Sequence, residues 1–333
     1  MNLLLNEEQQ QLRAAVRGFL AAHSRPREGY SPEVYARLNG ELGLSGLIVP
    51  EEYGGAGAGY AELAVVMEET GAALLPGPFL ATVFATVALT RIGDKELLTR
   101  LAEGRVVTVA EGELSGDGAS VSGELAQVLG GMEAETIVVR AGAAMYAVEL
   151  TGPGVSRSPL ETLDLTRGQA RIVLDAAPAR ELGPARAALG IGDRLAVVLA
   201  AEQLGVMRAA LDAIVAYAKI RAAFGRLVGS FQAVKHKLAE MHCKVEQAES
   251  IVRYAAWAAD EAPGELPMAA ALAQAYVGRA CYEVAADHLL LHGGIGFTWE
   301  HDAHLYVKRA KADEVLLGPP REHRARIAEL LEL

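Results

Sequence analysis

The sequence predicts a mainly α-helical fold with a small β unit. Ala, Leu, Val, Glu and Arg dominate the N-terminal and C-terminal thirds of the 333 residues, where apolar residues recur at three- and four-residue intervals. Between these thirds, short β-type runs are separated by Gly, Pro, Ser and Asp. Because the length exceeds one ordinary core, we expect an N-terminal helical domain over residues 1–105, a reduced middle β domain over 106–186 and a C-terminal helical bundle over 187–333.

The N-terminal domain is expected to be helical from Asn6 to about Gly104, with loops at residues 25–31, 51–59 and 75–78. The middle domain should be a small antiparallel unit. Its predicted strands cover residues 106–109, 136–140, 145–150 and 169–174.

The C-terminal domain shows long helical patterns punctuated by Pro263-Gly264 and Gly293-Gly294. These patterns predict a four-helix bundle followed by a short last helix. The predicted helices cover about 191–220, 230–260, 266–291, 301–315 and 320–332.

Charge and composition exclude several classes of function. The net charge of −11 argues against nucleic acid or an anionic membrane as a partner. Charged residues interrupt every apolar run, so we expect neither a transmembrane span nor a signal peptide. Cys243 and Cys281 lack the spacing of a redox or zinc site, which favours a cytoplasmic chain with reduced, buried thiols.

The segment RAAFGRLVGSFQAVKHKLAEM joins two helical patterns through a short break that contains glycine. It sets Arg221, Phe224 and Gln232 at fixed offsets, which helical periodicity does not explain. The planar guanidinium of Arg221 would suit a diphosphate, because its fork of donors matches phosphate oxygens. An ordinary solvated surface charge is the alternative for this residue.

A second segment reads HGGIGFTWEHDAHLYVKRAK. Gly293, Gly294 and Gly296 would let backbone N–H groups approach a ligand without obstruction by a Cβ atom. A tight turn is the alternative. Trp299 is expected to pack at a subunit interface or in the core, and Lys308, Arg309 and Lys311 should form a solvated basic helix face.

The two segments together resemble the acyl-CoA dehydrogenase family of flavoenzymes, with its RxxFGxxxxxxQ and GGxGF motifs. Residues 41–80 are similar to the family's first helical domain. The resemblance implies α,β-dehydrogenation of an acyl-CoA thioester, with FAD as hydride acceptor and an electron-transfer flavoprotein as the next acceptor. It also implies that Arg221, Phe224, Gln232 and the glycines at 293, 294 and 296 hold the FAD of a neighbouring subunit.

The middle domain departs from the family pattern. Where the family has TEPGAGSD-type and WITN-type strands that line the flavin ring, this sequence reads VVTVAEGELSGDGASVSG and EAETIVVRA. The domain is also shorter than the family's by a few dozen residues. We therefore expect that this chain does not build a full flavin site alone.

The family's catalytic base, a Glu that removes the α-proton of the thioester, has no counterpart in this sequence. Its position in the commonest branch falls on Leu317, before Gly318, and its position in a second branch falls on Leu195. Leu takes no proton. Glu314 lies three residues before the first position, where the helical rotation turns it away.

Carboxylates near the second position offer inexact substitutes. Asp193 lies just before it, and Glu202, the weak candidate, lies about two helical turns beyond it. The alternative for Glu202 is an ion pair with Arg208 or with a helix end of another subunit. Arg194 is the candidate substrate-binding residue, because it matches a family Arg beyond the base.

A metal site is not expected. His288 and His292 have the four-residue spacing of a metal-binding pair, and His301 and His304 could join them. No acidic or Cys ligand completes the spacing, and the GGxGF context accounts for the neighbourhood.

Two interpretations follow from the resemblance. In the first, the chain is the non-catalytic subunit of a heteromer, expected to be α2β2 in the pattern of bacterial steroid side-chain or fatty-acid β-oxidation, and completes the FAD site of a homologous partner. In the second, it is a self-sufficient homo-oligomeric enzyme with an atypically placed base.

Overall fold

The structure, a computed structural model, describes residues 3–188 and 190–333, with only the backbone described at 187 and 188. The chain packs as two compact units. The first unit comprises the segments up to Ala22, Tyr60–Leu75 and Asp193–Leu333, and the second comprises His23–Gly59 and Pro76–Gly192. The three-domain division stays a prediction. Met1, Asn2 and Leu189, which the predicted domains include, lie outside the described residues.

The mainly helical class is confirmed. In chain order, the helices are α1 (Glu7–His23), α2 (Pro32–Leu42), α3 (Tyr60–Ala72), α4 (Phe79–Ile92), α5 (Lys95–Ala102), α6 (Ile191–Ile220), α7 (Gln232–Glu261), α8 (Leu266–Leu291), α9 (Ala303–Leu316) and α10 (Pro320–Leu330). The C-terminal bundle is confirmed too, since α6 to α9 match the four predicted patterns. No helix in the described part of the chain is long and apolar enough to cross a membrane.

In the first unit, α3 and α6 cross with their backbones in contact. A Cβ atom built on Gly205 of α6 would lie 1.8 Å from the carbonyl oxygen of Glu68. A Cβ atom on Gly71 of α3 would lie 2.1 Å from the carbonyl oxygen of Glu202. Only glycine fits at such distances. The crossing therefore fixes where the Glu202 side chain leaves α6.

In the second unit, the helices have clear local signals. The hydroxyl of Ser31 accepts the Val34 N–H at 3.3 Å to cap α2, and Gly43, at φ 63°, ends that helix. The Asp94 carboxylate accepts the Leu97 N–H at 2.9 Å to cap α5. The buried faces of α4 and α5 pack on the sheet through a shared apolar cluster. Its members include Leu89, Leu97, Leu101, Val107 and Val138.

The described residues of the second unit form a seven-stranded sheet. Its strands are β1 (Val107–Ala110), β2 (Glu113–Gly116), β3 (Ser120–Leu129), β4 (Thr136–Ala141), β5 (Ala144–Glu149), β6 (Val155–Pro159) and β7 (Gln169–Pro184). The order is β1-β4-β5-β7-β3-β2, and β6 also pairs with β7. The long β7 joins both halves, because its first part pairs with β3 and β6 and its last part with β5.

The prediction of an antiparallel unit was right for five of the described strand pairs of this sheet and wrong for the sixth. Strand β1 pairs with β4 in parallel, from Val107 opposite Thr136 to Ala110 opposite Val139. The chain reaches β4 only after the β2–β3 hairpin, and a crossover of that length allows parallel pairing with β1. The hydroxyl of Thr108 donates to the Leu129 carbonyl at 2.7 Å and so ties β1 to the end of β3.

Candidate functional site

A small hairpin separates α6 from α7, where the sequence predicted only a break. It consists of β8 (Ala222–Ala223) and β9 (Arg226–Leu227), paired antiparallel. Phe224 and Gly225 make its two-residue turn with φ of 53° and 78°. Two positive φ angles are the geometry of a tight hairpin turn, and a non-glycine residue adopts that geometry at some cost. Phe224 is 96% exposed, so the turn holds an aromatic ring in solvent.

Arg221 starts this hairpin, and its charge is unpaired within the residues that the structure describes. Its N–H donates to the Tyr217 carbonyl at 2.9 Å, and its own carbonyl accepts the Val228 N–H at 2.8 Å. The side chain is exposed. Backbone bonds thus hold the residue while its guanidinium donors stay available to an anion.

The first turn of α7 adds further donors beside the hairpin. Gln232 is the first residue of this 30-residue helix and is exposed. The preceding residue, Phe231, has no side-chain acceptor that could cap the helix. The first N–H groups and the positive end of the helix dipole therefore face outward. A phosphate group is a suitable ligand for such a helix end.

The GGIGF segment forms a short 3-10 turn from Gly293 to Phe297. Added Cβ atoms at Gly293 and Gly294 would meet open space, so a ligand can approach the backbone there. Gly296 has a different reason to be glycine, because its Cβ would lie 2.5 Å from the Leu289 carbonyl oxygen. The glycines at 293 and 294 thus keep a surface open, and the one at 296 lets the turn pack on α8.

The structure brings these two segments to the same end of the first unit. The rings of Tyr217 and His292 lie 4.5 Å apart, and the Tyr217 hydroxyl donates to the His292 carbonyl at 3.4 Å. Tyr217 is one helical turn before Arg221, and His292 immediately precedes Gly293. An exposed guanidinium, an uncapped helix start and open glycine backbone together fit a dinucleotide diphosphate.

The position predicted for the catalytic base, Leu317, follows the end of α9 and is half-buried. Its carbonyl lies 3.0 Å from Nε2 of His323. The neighbouring carboxylate, Glu314, is 6% exposed and pairs with Lys311 at 2.6 Å and Arg279 at 3.5 Å. Ion pairs therefore hold Glu314 in place.

Glu202 is also held by an ion pair, and Arg208, one of the two partners suggested by the sequence, is not the partner. It pairs with Arg309, between Oε1 and Nη1, at 2.9 Å, whereas Arg208 pairs with Glu249 at 2.6 Å and with Glu68 at 3.7 Å. Arg309 also donates to the Leu75 carbonyl at 3.3 Å. Both Glu202 and Arg309 are buried, which lowers the local dielectric and strengthens their attraction.

The predicted solvated basic face of α9 was therefore wrong in part. Arg309 is 0% exposed, because α9 turns this residue toward Glu202 rather than toward solvent. Lys308 lies 4.5 Å from the centre of the Trp299 ring, which is itself 65% exposed. The expectation of two buried thiols was also wrong, since Cys243 is exposed while Cys281 is buried.

The start of α6 carries the other two candidates. Asp193 pairs with Arg326 of α10 at 2.5 Å and is 8% exposed. The guanidinium of Arg194 lies 5.9 Å from the centre of the Tyr60 ring. Leu195, the second position predicted for a base, is half-buried beside them. Asp193 is thus held in an ion pair within the bundle.

Three histidines pack together below the GGIGF turn. The ring centres of His288 and His292 are 4.6 Å apart, and those of His292 and His301 are 4.2 Å apart. Burial, and to a lesser degree the nearby His292 and His301, lowers the pKa of His288 to about 3. No group of three metal-ligating side chains suited to an ion occurs among residues 3–188 and 190–333. The three rings are packed together, and burial disfavours a charge on His288.

Comparisons with known proteins identify the family of the chain. The family model described as "Acyl-CoA dehydrogenase, N-terminal domain" matches residues 6–105, and "Acyl-CoA dehydrogenase, C-terminal domain" matches residues 192–331. Acyl-CoA dehydrogenase IpdE2 of Mycolicibacterium smegmatis is 35% identical over 97% of this chain and 98% of that protein.

Two solved structures are similar over nearly the whole chain. The ChsE4-ChsE5 complex from Mycobacterium tuberculosis has a TM-score of 0.90 at 30% identity, covering 100% of this chain and 99% of that one. A structure described as the Tcur3481-Tcur3483 steroid ACAD has a TM-score of 0.89 at 30% identity, covering 98% of both chains.

Proposed function

This chain belongs to the acyl-CoA dehydrogenase family of FAD-dependent oxidoreductases, and from that premise we propose that it is the non-catalytic subunit of a heteromeric acyl-CoA dehydrogenase. In this proposal it completes the FAD site of a homologous partner, which supplies the catalytic base. The alternative is a self-sufficient homo-oligomer with a base at an unusual position.

The observation that carries the proposal is that every candidate carboxylate is held in an ion pair. Both family positions for the base are Leu, at 317 and 195. Glu202 pairs with the fully buried Arg309, and Asp193 pairs with Arg326. A carboxylate that moved from Arg309 to a substrate carbon would break a buried ion pair, which costs about 3–5 kcal/mol. That cost opposes a role as general base.

The residues at the exposed end of the first unit fit a flavin dinucleotide. Arg221, the first turn of α7 and the open backbone at Gly293 and Gly294 would hold the diphosphate and adenosine side of FAD. When bound, FAD supplies the hydride acceptor for the dehydrogenation. Phe224 offers an exposed ring that can cover an apolar part of the ligand or of the partner, and Gln232 offers a neutral amide.

The remaining parts of the proposal concern substrate, assembly and location. The complex named ChsE4-ChsE5 and the structure described as a steroid ACAD support a heteromer, which we propose to be α2β2, and an acyl-CoA substrate of the steroid or fatty-acyl class. Arg194 is the proposed substrate contact. We also propose that the enzyme is cytoplasmic and passes its electrons to an electron-transfer flavoprotein.

The proposal is tested by expressing the chain with His-tag capture, alone and together with a longer homologue that has an intact base. We expect flavin-free or poorly soluble protein in the first case, because a subunit that shares its cofactor leaves interface area uncovered. We expect a soluble yellow complex that oxidises acyl-CoA in the second. A yellow, active homo-oligomer from the chain alone would overturn the proposal and support the alternative.

A further inference from the structure

The two segments proposed to hold FAD are each short, and few bonds fix them. The hairpin after α6 has two ladder pairs, and the bond from the Val228 N–H to the Arg221 carbonyl closes its base. The Gly293–Phe297 turn is closed by bonds from the N–H and the hydroxyl of Thr298 to the Ile295 carbonyl, at 3.0 Å and 2.8 Å. These bonds shape each segment, but they do not determine the distance between the two segments.

Tyr217 joins the helix ends that carry these segments. This half-buried residue lies in the last turn of α6, and its hydroxyl donates to the carbonyl of His292 at 3.4 Å while its ring packs on the His292 ring at 4.5 Å. The Tyr217 carbonyl in turn accepts the Arg221 N–H. Tyr217 therefore touches Arg221 through the backbone and the residue before Gly293 through its side chain.

His292 is itself firmly placed. It is 4% exposed, and its Nδ1 lies 2.8 Å from the His288 carbonyl, which sets one ring nitrogen as the donor. The ring of His301 also packs on it, with the ring centres 4.2 Å apart. Burial lowers the pKa of His292, and this outweighs the bond to the His288 carbonyl, which raises it. A neutral, anchored imidazole is a rigid surface for the Tyr217 ring.

We propose that Tyr217 and His292 form a positioning contact that sets the Arg221 hairpin and the Gly293–Phe297 turn at the separation needed to grip one FAD. The inference rests on the proposed function, because it assumes that both segments bind the same cofactor. Neither residue is proposed to touch the reacting atoms. Their effect is preorganisation, which lowers the ordering cost of binding.

The test uses the co-expressed complex with Tyr217→Ala and Tyr217→Phe, and Tyr254→Phe as matched control. Tyr254 lies on α7 and its hydroxyl donates to Glu265 at 2.6 Å, so the control loses a tyrosine hydroxyl bond outside both segments. We expect the FAD dissociation constant to rise about tenfold in Tyr217→Ala, which loses ring and hydroxyl, and about twofold in Tyr217→Phe, which loses one long bond. The control should bind as the wild type.

A second readout is independent of activity and of bound flavin. In complex stripped of FAD, hydrogen exchange at residues 221–231 and 293–298 should become faster together in Tyr217→Ala, and to a lesser degree in Tyr217→Phe. Faster exchange in both segments with weaker FAD binding supports the positioning contact. Unchanged exchange in both variants, or wild-type FAD binding in Tyr217→Ala, overturns it. If the Ala variant does not assemble, the Phe variant decides by the same criteria.

The outcome is separable from that of the proposed function. If Arg221→Ala loses FAD while Tyr217→Ala keeps it, the FAD site stands and the positioning contact fails. If Arg221→Ala also keeps full FAD, the proposed site itself fails.

Discussion

Arg221 and Arg309 carry the same guanidinium group in opposite surroundings. Arg221 is exposed and makes no ion pair with any residue that the structure describes, whereas Arg309 is 0% exposed and pairs with Glu202. An exposed, unpaired guanidinium adds little to the stability of the fold. We therefore propose that the placement of Arg221 at the start of the hairpin serves to bind a ligand. A buried pair belongs to the folded bundle.

Replacing Arg221 should remove flavin without unfolding the protein. Arg221→Ala loses charged hydrogen bonds to phosphate, about 1.5–3 kcal/mol, which is roughly 10- to 150-fold in the FAD dissociation constant. The flavin absorbance of the purified complex measures this loss. Arg321→Ala is the matched control, because Arg321 is also exposed and lies on α10, outside both segments. Full flavin occupancy in Arg221→Ala would contradict the assignment.

Replacing Glu202 should affect stability far more than chemistry. Glu202→Gln removes one charge of the buried ion pair with Arg309, which should lower the free energy of unfolding by about 3–5 kcal/mol. Turnover per bound flavin should stay within a fewfold, since the proposed base lies on the partner. Glu246→Gln is the control for the loss of one negative charge, because Glu246 lies in an exposed pair with His242.

The opposite pattern would favour the self-sufficient enzyme. Loss of a general base lowers the turnover rate by roughly 10²- to 10⁴-fold. A loss of that size in Glu202→Gln, with stability and flavin content unchanged, would fit a lost general base. Rate per flavin and urea unfolding of the same preparation distinguish the two cases.

At the scale of elements, local patterns predicted the helices and missed strands that depend on distant partners. The predicted helices at 191–220 and 266–291 agree with α6 and α8 to the residue, because apolar periodicity and Gly or Pro punctuation are local. Strand β6 reads VSRSP and β2 reads ELSG, with mostly exposed residues. Strand β6 is held by its pairing with β7, and β2 by its pairing with β3. No local sequence pattern encodes these pairings.

The crossing of α3 and α6 gives a prediction at this scale. In Gly205→Ala the new Cβ would lie 1.8 Å from the Glu68 carbonyl oxygen, so the helices must separate, at a cost of about 1–3 kcal/mol in unfolding free energy. Gly192→Ala on the same helix is the control, because a Cβ there meets nothing within 4 Å. Thermal or urea unfolding compares the two variants. Equal stability would mean that the crossing tolerates a methyl group.

At the scale of the whole molecule, the sequence motifs predicted which residues could bind a cofactor but not how they are held. Spacing alone singled out Arg221 and the glycines after His292. It could not predict the Tyr217–His292 contact, which joins residues far apart in the sequence. It also misassigned Arg309, because helical periodicity gives the direction of a side chain and not the buried charge opposite it.

Buried histidine gives a prediction for the pH dependence of the folded molecule. His288 is 1% exposed and neither ring nitrogen has a hydrogen-bond partner among the described residues, while the rings of His292, His301 and Tyr306 face it. Burial lowers the pKa of His288 to about 3 in the folded chain, against the ordinary value of 6.5. Between these values the unfolded chain binds the additional proton.

Stability should therefore be full above about pH 6.5 and fall as the pH drops toward 3, by up to about 1.4 kcal/mol per pH unit. This amounts to about 1.6 kcal/mol between pH 6.5 and pH 5, a window that lies above the ordinary pKa of carboxylates. Urea unfolding of the complex at the two pH values measures the change. In His288→Leu, which cannot titrate, the dependence should flatten over the same window. An equally steep dependence in that variant would assign the lost stability to other groups, with His292 the next candidate because burial lowers its pKa as well.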